Sequence, residues 1–114
     1  MNQMEALALT LGAEIPVAAG LAWACGLRDQ GLRVVAIAAA ASLLTHPVAW
    51  YLSGATTALW PFWIRATILE SAVVAAETAV YARGLDLPWL PSLGISTAAN
   101  AASFTVGLFA VSLL

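Results

Sequence analysis

Apolar residues run along this chain in four long stretches, separated by three short polar breaks. The stretches cover about residues 4–26, 32–54, 59–83 and 90–114. Each reaches the roughly 20 residues that a helix needs to cross a hydrocarbon core of about 30 Å. The breaks are Gly26-Leu-Arg-Asp-Gln-Gly31, Ser53-Gly-Ala-Thr-Thr57 and Gly84-Leu-Asp-Leu-Pro88, whose Gly, Pro, Asp and Ser residues read as turns. Strand-like alternation is absent, which disfavours a barrel. The pattern predicts an all-α, polytopic membrane protein. Residues 1–114 form one four-transmembrane-helix bundle, with nothing left over for a soluble domain.

Composition sharpens this. The chain is 62% hydrophobic and 9% charged, with a mean hydropathy of +0.92. Soluble domains carry about a quarter charged residues, so a cytosolic globule is excluded. Four arginines, no lysine and six acids give a net charge of −2. No basic stripe is available to neutralise phosphates, and nucleic acid is not an expected partner. A lone Cys25 offers neither an internal disulfide nor a metal-binding spacing. The first stretch carries Glu5 and Glu14 and lacks the basic start of a cleaved signal peptide.

Charge also sets an expected orientation. Arg28 and Arg33 flank the first turn and Arg83 begins the third, whereas the amino-terminal tail has no basic side chain. The positive-inside rule then places turns one and three in the cytoplasm and both termini on the periplasmic or extracellular side. Arg65 opposes this weakly and can snorkel outward beside Trp60 and Trp63. The five tryptophans cluster toward the ends of the stretches, as an aromatic belt does. Small residues in Ala38–Ser42, Ala98–Ser103 and Gly107 favour close helix contacts, and with few polar groups per bundle they predict a homo-oligomer, a dimer by preference.

Three carboxylates lie inside the predicted spans: Glu14, Glu70 and Glu77. An intramembrane acid is costly unless neutral, paired or turned toward a polar interior, so each is a functional candidate. On the third stretch Thr67, Glu70, Val74, Glu77 and Tyr81 recur at helical spacing and share one stripe, which must face the bundle or another subunit. Counting about 1.5 Å per residue from the cytoplasmic ends, Glu14, His46, Glu70 and Ser103 all fall roughly 20 Å deep. Glu77 and Asn100 fall nearer the cytoplasm, at about 9 and 15 Å, as a second layer. Pro16 and Pro47 free the carbonyls of Gly12 and Leu43 beside these residues, as interrupted helices do around ions in transporters. Thr45 precedes His46 in the same segment.

Several chemistries fit these residues. Glu14, His46 and Glu70 offer two oxygens and an imidazole, a set that suits a divalent metal. Proton or sodium coupling needs only carboxyl groups that hold their protons near neutral pH, as burial and neighbouring acids bring about. No serine shows a partnership with His46 that suggests an enzyme. Buried acids also pair with arginines of partner subunits in membrane complexes.

The segment around Ala13-Glu14, with the length and the four spans, resembles the small multidrug resistance transporters, in which a first-helix glutamate exchanges protons for cationic drugs within a dimer. That carry-over is confined to Glu14. Asn100-Ala-Ala-Ser103-Phe104-Thr-Val-Gly107 is similar to a signature of small fluoride channels, one residue short and on a different helix. Glu14-Ile15-Pro16, Leu44-Thr45-His46-Pro47, Glu70-x6-Glu77-x3-Tyr81 and Asn100-x2-Ser103-x3-Gly107 together resemble small, uncharacterised bacterial four-helix integral membrane proteins. That resemblance implies a four-helix bundle in a bacterial inner membrane. The expectation is a small transporter or channel, coupled to protons or cations through Glu14, His46, Glu70, Glu77, Asn100 and Ser103. Pro16, Thr45, Pro47, Thr67 and Tyr81 support them. The alternatives are an accessory subunit of a larger membrane complex and an intramembrane divalent-metal-binding protein.

Overall fold

A computed structural model describes residues 2–112. It contains four helices: α1 (Gln3–Ala24), α2 (Gly31–Ala55), α3 (Phe62–Gly84) and α4 (Trp89–Ser112). Helix accounts for 85% of the described residues, and none of them is in a strand. Each helix packs on the next, and α4 closes the ring against α1. The diagonal pairs α1/α3 and α2/α4 do not meet. Connections of a few residues force neighbouring helices to run antiparallel. Residues 2 and 112 therefore lie at the same end as the α2–α3 turn.

The termini of the helices follow local chemistry. Asn2 and Glu5 form a reciprocal capping box, the Asn2 side chain accepting from the Glu5 amide at 2.8 Å and the Glu5 carboxylate from the Asn2 amide at 3.0 Å. After α1, Gly26 takes φ +94°, a conformation that L side chains rarely adopt and that turns the chain into the first connection. At the second connection Arg65 donates to the Ser53 carbonyl at 2.9 Å and to the Trp60 carbonyl at 3.1 Å. A guanidinium thus meets the carbonyl-rich end of α2, where a positive charge is favoured. Arg33, in the first turn of α2, pairs with Asp86 of the third connection at 3.3 Å. Both side chains are well exposed, so the pair contributes little.

Burial differs from that of a soluble protein: polar side chains share the interior with apolar ones, and large apolar side chains lie outside. Glu14, Ser42, Glu77, Ser92, Ser96 and Asn100 are buried, whereas Leu32, Leu44, Ile68, Phe109 and Val111 are exposed. Such an apolar exterior, with polar side chains kept inside, suits lipid, where helices associate through small residues and internal hydrogen bonds. Helices α1, α2 and α4 are each long and apolar enough to cross a membrane. The remaining helix, α3, carries Arg65, Glu70, Glu77 and Arg83 and lies between α2 and α4.

The apolar core is small and sits in the half of the bundle near the first and third connections. Ala18, Ala22, Val34, Ala38, Tyr81, Leu85 and Ile95 form it. Gly84 marks the closest approach of α3 to α2, because a Cβ there would stand 2.6 Å from Ile37 Cδ1 and 3.0 Å from its Cγ1 and Cγ2. Gly84→Ala is expected to destabilise the bundle by about 1–2 kcal/mol, the usual cost of overpacking. Thermal unfolding in detergent checks this, with Gly94→Ala as a control, because a Cβ at Gly94 meets nothing within 4 Å.

Candidate functional site

Two carboxylates on diagonal helices hold the middle of the bundle together. Glu14 on α1 accepts from the Ser42 hydroxyl of α2 through Oε2, and from the Ser103 hydroxyl of α4 through Oε1 at 2.9 Å. Glu77 on α3 accepts from Thr45 of α2 through Oε2 at 2.8 Å and from the Asn100 amide of α4 through Oε1. Each acid therefore bridges both of its neighbouring helices. Glu14 and Glu77 are each only 1% exposed. A buried carboxylate is tolerated where its oxygens are satisfied.

Between this layer and the end that carries residues 2 and 112 the helices enclose a cavity of about 280 Å³. Glu14, Glu77, Asn100 and Ser103 form its floor, while Ser53, Phe62 and Arg65 stand near its mouth. Glu70 lies on its wall, half-buried and without a hydrogen-bond partner among the described residues. A second groove, of about 480 Å³, runs between α3 and α4 and shares Ala66, Glu70, Asn100 and Phe104 with the cavity. Glu70 thus borders both spaces. Arg65 is the one arginine on the cavity wall among the described residues, and its guanidinium is held by Ser53 and Trp60. On the opposite side the Tyr81 hydroxyl is buried with no partner, one helical turn from Glu77 within the apolar core. The cavity ends at the carboxylate layer, and Tyr81 does not line it.

The structure brings seven of the residues singled out in the sequence together. Glu14, His46, Glu70, Glu77, Thr45, Asn100 and Ser103 all line one cavity. The depth count sets Glu14 and Glu77 too far apart. Glu14 lies ten residues before the end of α1 and Glu77 seven before the end of α3. Less than one turn separates them, and Ser42 and Thr45 of α2 reach one acid each.

His46 does not join Glu14 and Glu70 as a ligand set. Among the described residues no group of three His, Cys, Asp or Glu side chains could hold a metal ion. The Glu14 oxygens are taken by Ser42 and Ser103, and His46 sits one turn beyond Ser42. There its Nδ1 faces the Thr10 hydroxyl at 3.5 Å and its ring lies 6.2 Å from that of Trp50. The Nε2 atom of His46 is buried and unpartnered.

The supporting residues divide. Helices α1 and α2 run unbroken through Pro16 and Pro47, and neither proline lines the cavity. Gly12 and Pro16 are exposed on the outer face of α1, and Leu43 is exposed on α2. The freed carbonyls therefore do not belong to the cavity. Thr67 is exposed as well and borders the groove instead, its hydroxyl satisfied by the Trp63 carbonyl at 2.8 Å.

Ser42, Thr10 and Arg65 are the participants that the sequence pattern misses. Ser42 stands inside a run of alanines, where it reads as a packing residue. Its signal is the three-residue step to Thr45, which matches the step from Asn100 to Ser103 on α4. Set against known proteins, the chain matches no protein-family model, no curated protein and no solved structure.

Proposed function

We propose that this protein is a small integral membrane transporter or channel, coupled to protons or cations through its intramembrane carboxylates. The observation that carries the reading is the cavity, which leads from one end of the bundle to Glu14, Glu70 and Glu77 and is lined by no arginine deeper than Arg65. Three acids around one small space attract cations, and an acid on such a wall is a natural proton carrier. The apolar core with Tyr81 closes the other half of the bundle. Under this reading the described conformation is open toward one side of the membrane only.

In this reading the membrane is a bacterial inner membrane, and the positive-inside rule favours the open side lying outside the cytoplasm. Labelling of cysteines placed near either terminus, in a Cys25→Ser background, checks this. Reagent from the periplasmic side is expected to react, and reaction from the cytoplasmic side alone would overturn the orientation. A dimer remains part of the proposal through the small-residue faces. It is not needed to enclose the polar layer, because one bundle already does so.

The test is flux in liposomes under an imposed pH gradient. Glu70→Gln is expected to lower pH-dependent flux at least tenfold while the bundle still assembles, because glutamine keeps the shape and removes the titration. Unchanged flux in this variant would contradict the reading.

A second reading has an observation of its own. The groove between α3 and α4 is lined by Trp63, Thr67, Glu70 and Phe104 and offers a partner helix an apolar slot with an acid in it. An accessory subunit would dock there through a basic side chain. In that case Glu70→Gln releases a partner from the native membrane and leaves the isolated protein without any flux to lose.

A further inference from the structure

The carboxylate layer has a symmetry that the connections of the chain do not require. Exchanging α1 with α3 and α2 with α4 turns Glu14 into Glu77, Ser42 into Asn100 and Thr45 into Ser103. Under that exchange the bond from Ser42 to Glu14 becomes the bond from Asn100 to Glu77. The bond from Ser103 to Glu14 likewise becomes the bond from Thr45 to Glu77. A two-fold axis along the bundle has this effect, since it swaps the diagonal helices that do not touch.

The sequence carries the same relation. Ile37-x2-Ala40-Ala41-Ser42-x2-Thr45-x2-Val48 on α2 repeats as Ile95-x2-Ala98-Ala99-Asn100-x2-Ser103-x2-Val106 on α4. Ala13-Glu14-x2-Val17-x-Ala19 on α1 repeats as Ala76-Glu77-x2-Val80-x-Ala82 on α3. Burial follows suit on α2 and α4, where Val34, Ala38, Ala41 and Ser42 are buried and so are Ser92, Ser96, Ala99 and Asn100. The spacing is 58 residues for α2/α4 and 63 for α1/α3, and the five-residue difference is divided between α1, which runs three residues further past its acid than α3, and the connection after it, which is two residues longer than its counterpart. Parallel repeats related by an axis along the membrane normal are an established way of building transporters.

The cavity wall obeys the axis in part and breaks it in chemistry. Thr45 and Ser103 are equivalent and alike, as are Ala49 and Gly107. His46 stands where α4 has Phe104, and Thr10 where α3 has Val73. Glu70 stands where α1 has Leu7. His46 Nε2 has no partner, and Glu70 has none among the described residues, whereas both symmetric acids are fully bonded.

We propose that the chain is an internally duplicated helical hairpin in which the symmetric carboxylates Glu14 and Glu77 clamp the four helices, and that the side chains breaking the symmetry, Glu70 first and then His46 on the same cavity wall, receive the ion from the cavity. This division of labour rests on the transport reading for the ion. The duplication and the clamp do not depend on it. Hydrogen-bonded acids at equivalent places are bound to their helices from both sides and are poor candidates for release and capture. Glu70 is free to exchange.

Dicyclohexylcarbodiimide tests this on the wild-type chain in lipid, because it modifies protonated carboxyl groups in apolar surroundings. Fragment-resolved mass spectrometry separates Glu70 from Glu77. Labelling is expected at Glu70 at least tenfold faster than at Glu14 or Glu77, slowing as pH rises. Equal or faster labelling of Glu14 or Glu77 would overturn the assignment. Thermal unfolding in detergent gives a second readout: Glu14→Gln and Glu77→Gln are expected to lower the midpoint by similar amounts, and Glu70→Gln to leave it unchanged. Loss of stability in Glu70→Gln, or in only one of the other two, would overturn the clamp. Absence of flux in liposomes alongside the expected labelling and midpoints would remove the transport reading and leave the duplication standing.

Discussion

Replacing Glu77 with alanine is expected to cost the bundle roughly 2–4 kcal/mol. The substitution removes the acceptor of one amide hydrogen of Asn100, a residue only 4% exposed. The other amide contact, to the Ser96 carbonyl at 2.8 Å, is already made. Thr45 falls back on the Ala41 carbonyl at 2.9 Å, so its hydroxyl loses less. A buried donor left unsatisfied costs about 1–3 kcal/mol, and the space vacated by the side chain adds to it. Glu14→Ala is expected to match it, because Ser42 is fully buried and its hydroxyl makes no second bond among the described residues. Thr105→Ala is the control. That hydroxyl is exposed and bonds only to the Ala101 carbonyl of its own helix. Unfolding midpoints in detergent check the series, and a change below about 1 kcal/mol for both acids would contradict a clamping role.

Gly107→Phe is expected to stop flux with little loss of stability. Gly107 lines the cavity, and a Cβ built on it meets nothing within 4 Å. A large side chain can therefore grow into open space instead of forcing the helices apart, which is what makes most insertions destabilising. The benzyl group occupies much of a 280 Å³ cavity between the mouth and the acids. Flux is expected to fall at least tenfold, and the unfolding midpoint to stay within a few degrees of wild type. Full flux through a folded Gly107→Phe protein would show that the cavity is not the path.

The helices were legible because hydropathy in a membrane protein is read by length, and four stretches with three turns leave few other folds. The acids were legible for a related reason: a carboxylate at membrane depth has to be turned inward, and Glu14 and Glu77 are. What a one-dimensional count cannot supply is the rotation of each helix. Pro16 follows Glu14 by two positions and for that reason points to the opposite face. Ser42 and His46 lie one turn apart on the same helix, and packing against α1 decides that the hydroxyl, not the imidazole, reaches Glu14. Thr67 shares a stripe with Glu70 on the helical wheel, yet it borders the groove instead of the cavity. The repeat between α2 and α4 was present in the residues throughout. Its matching positions are small or aliphatic, and only the hydrogen bonds make Ser42 and Asn100 stand out as equivalents.

The most direct measurement is of pH-driven flux with the wild-type protein and its Glu70→Gln variant reconstituted at equal density. An imposed pH gradient across vesicles, read by an internal pH-sensitive dye with sodium, potassium or an organic ammonium ion outside, reports both the coupling and the cation. The account predicts proton movement in wild-type vesicles above that of protein-free vesicles, enhanced by one of these cations and reduced at least tenfold by Glu70→Gln. Wild-type vesicles indistinguishable from protein-free ones under every cation, from a protein shown to be folded, would contradict it.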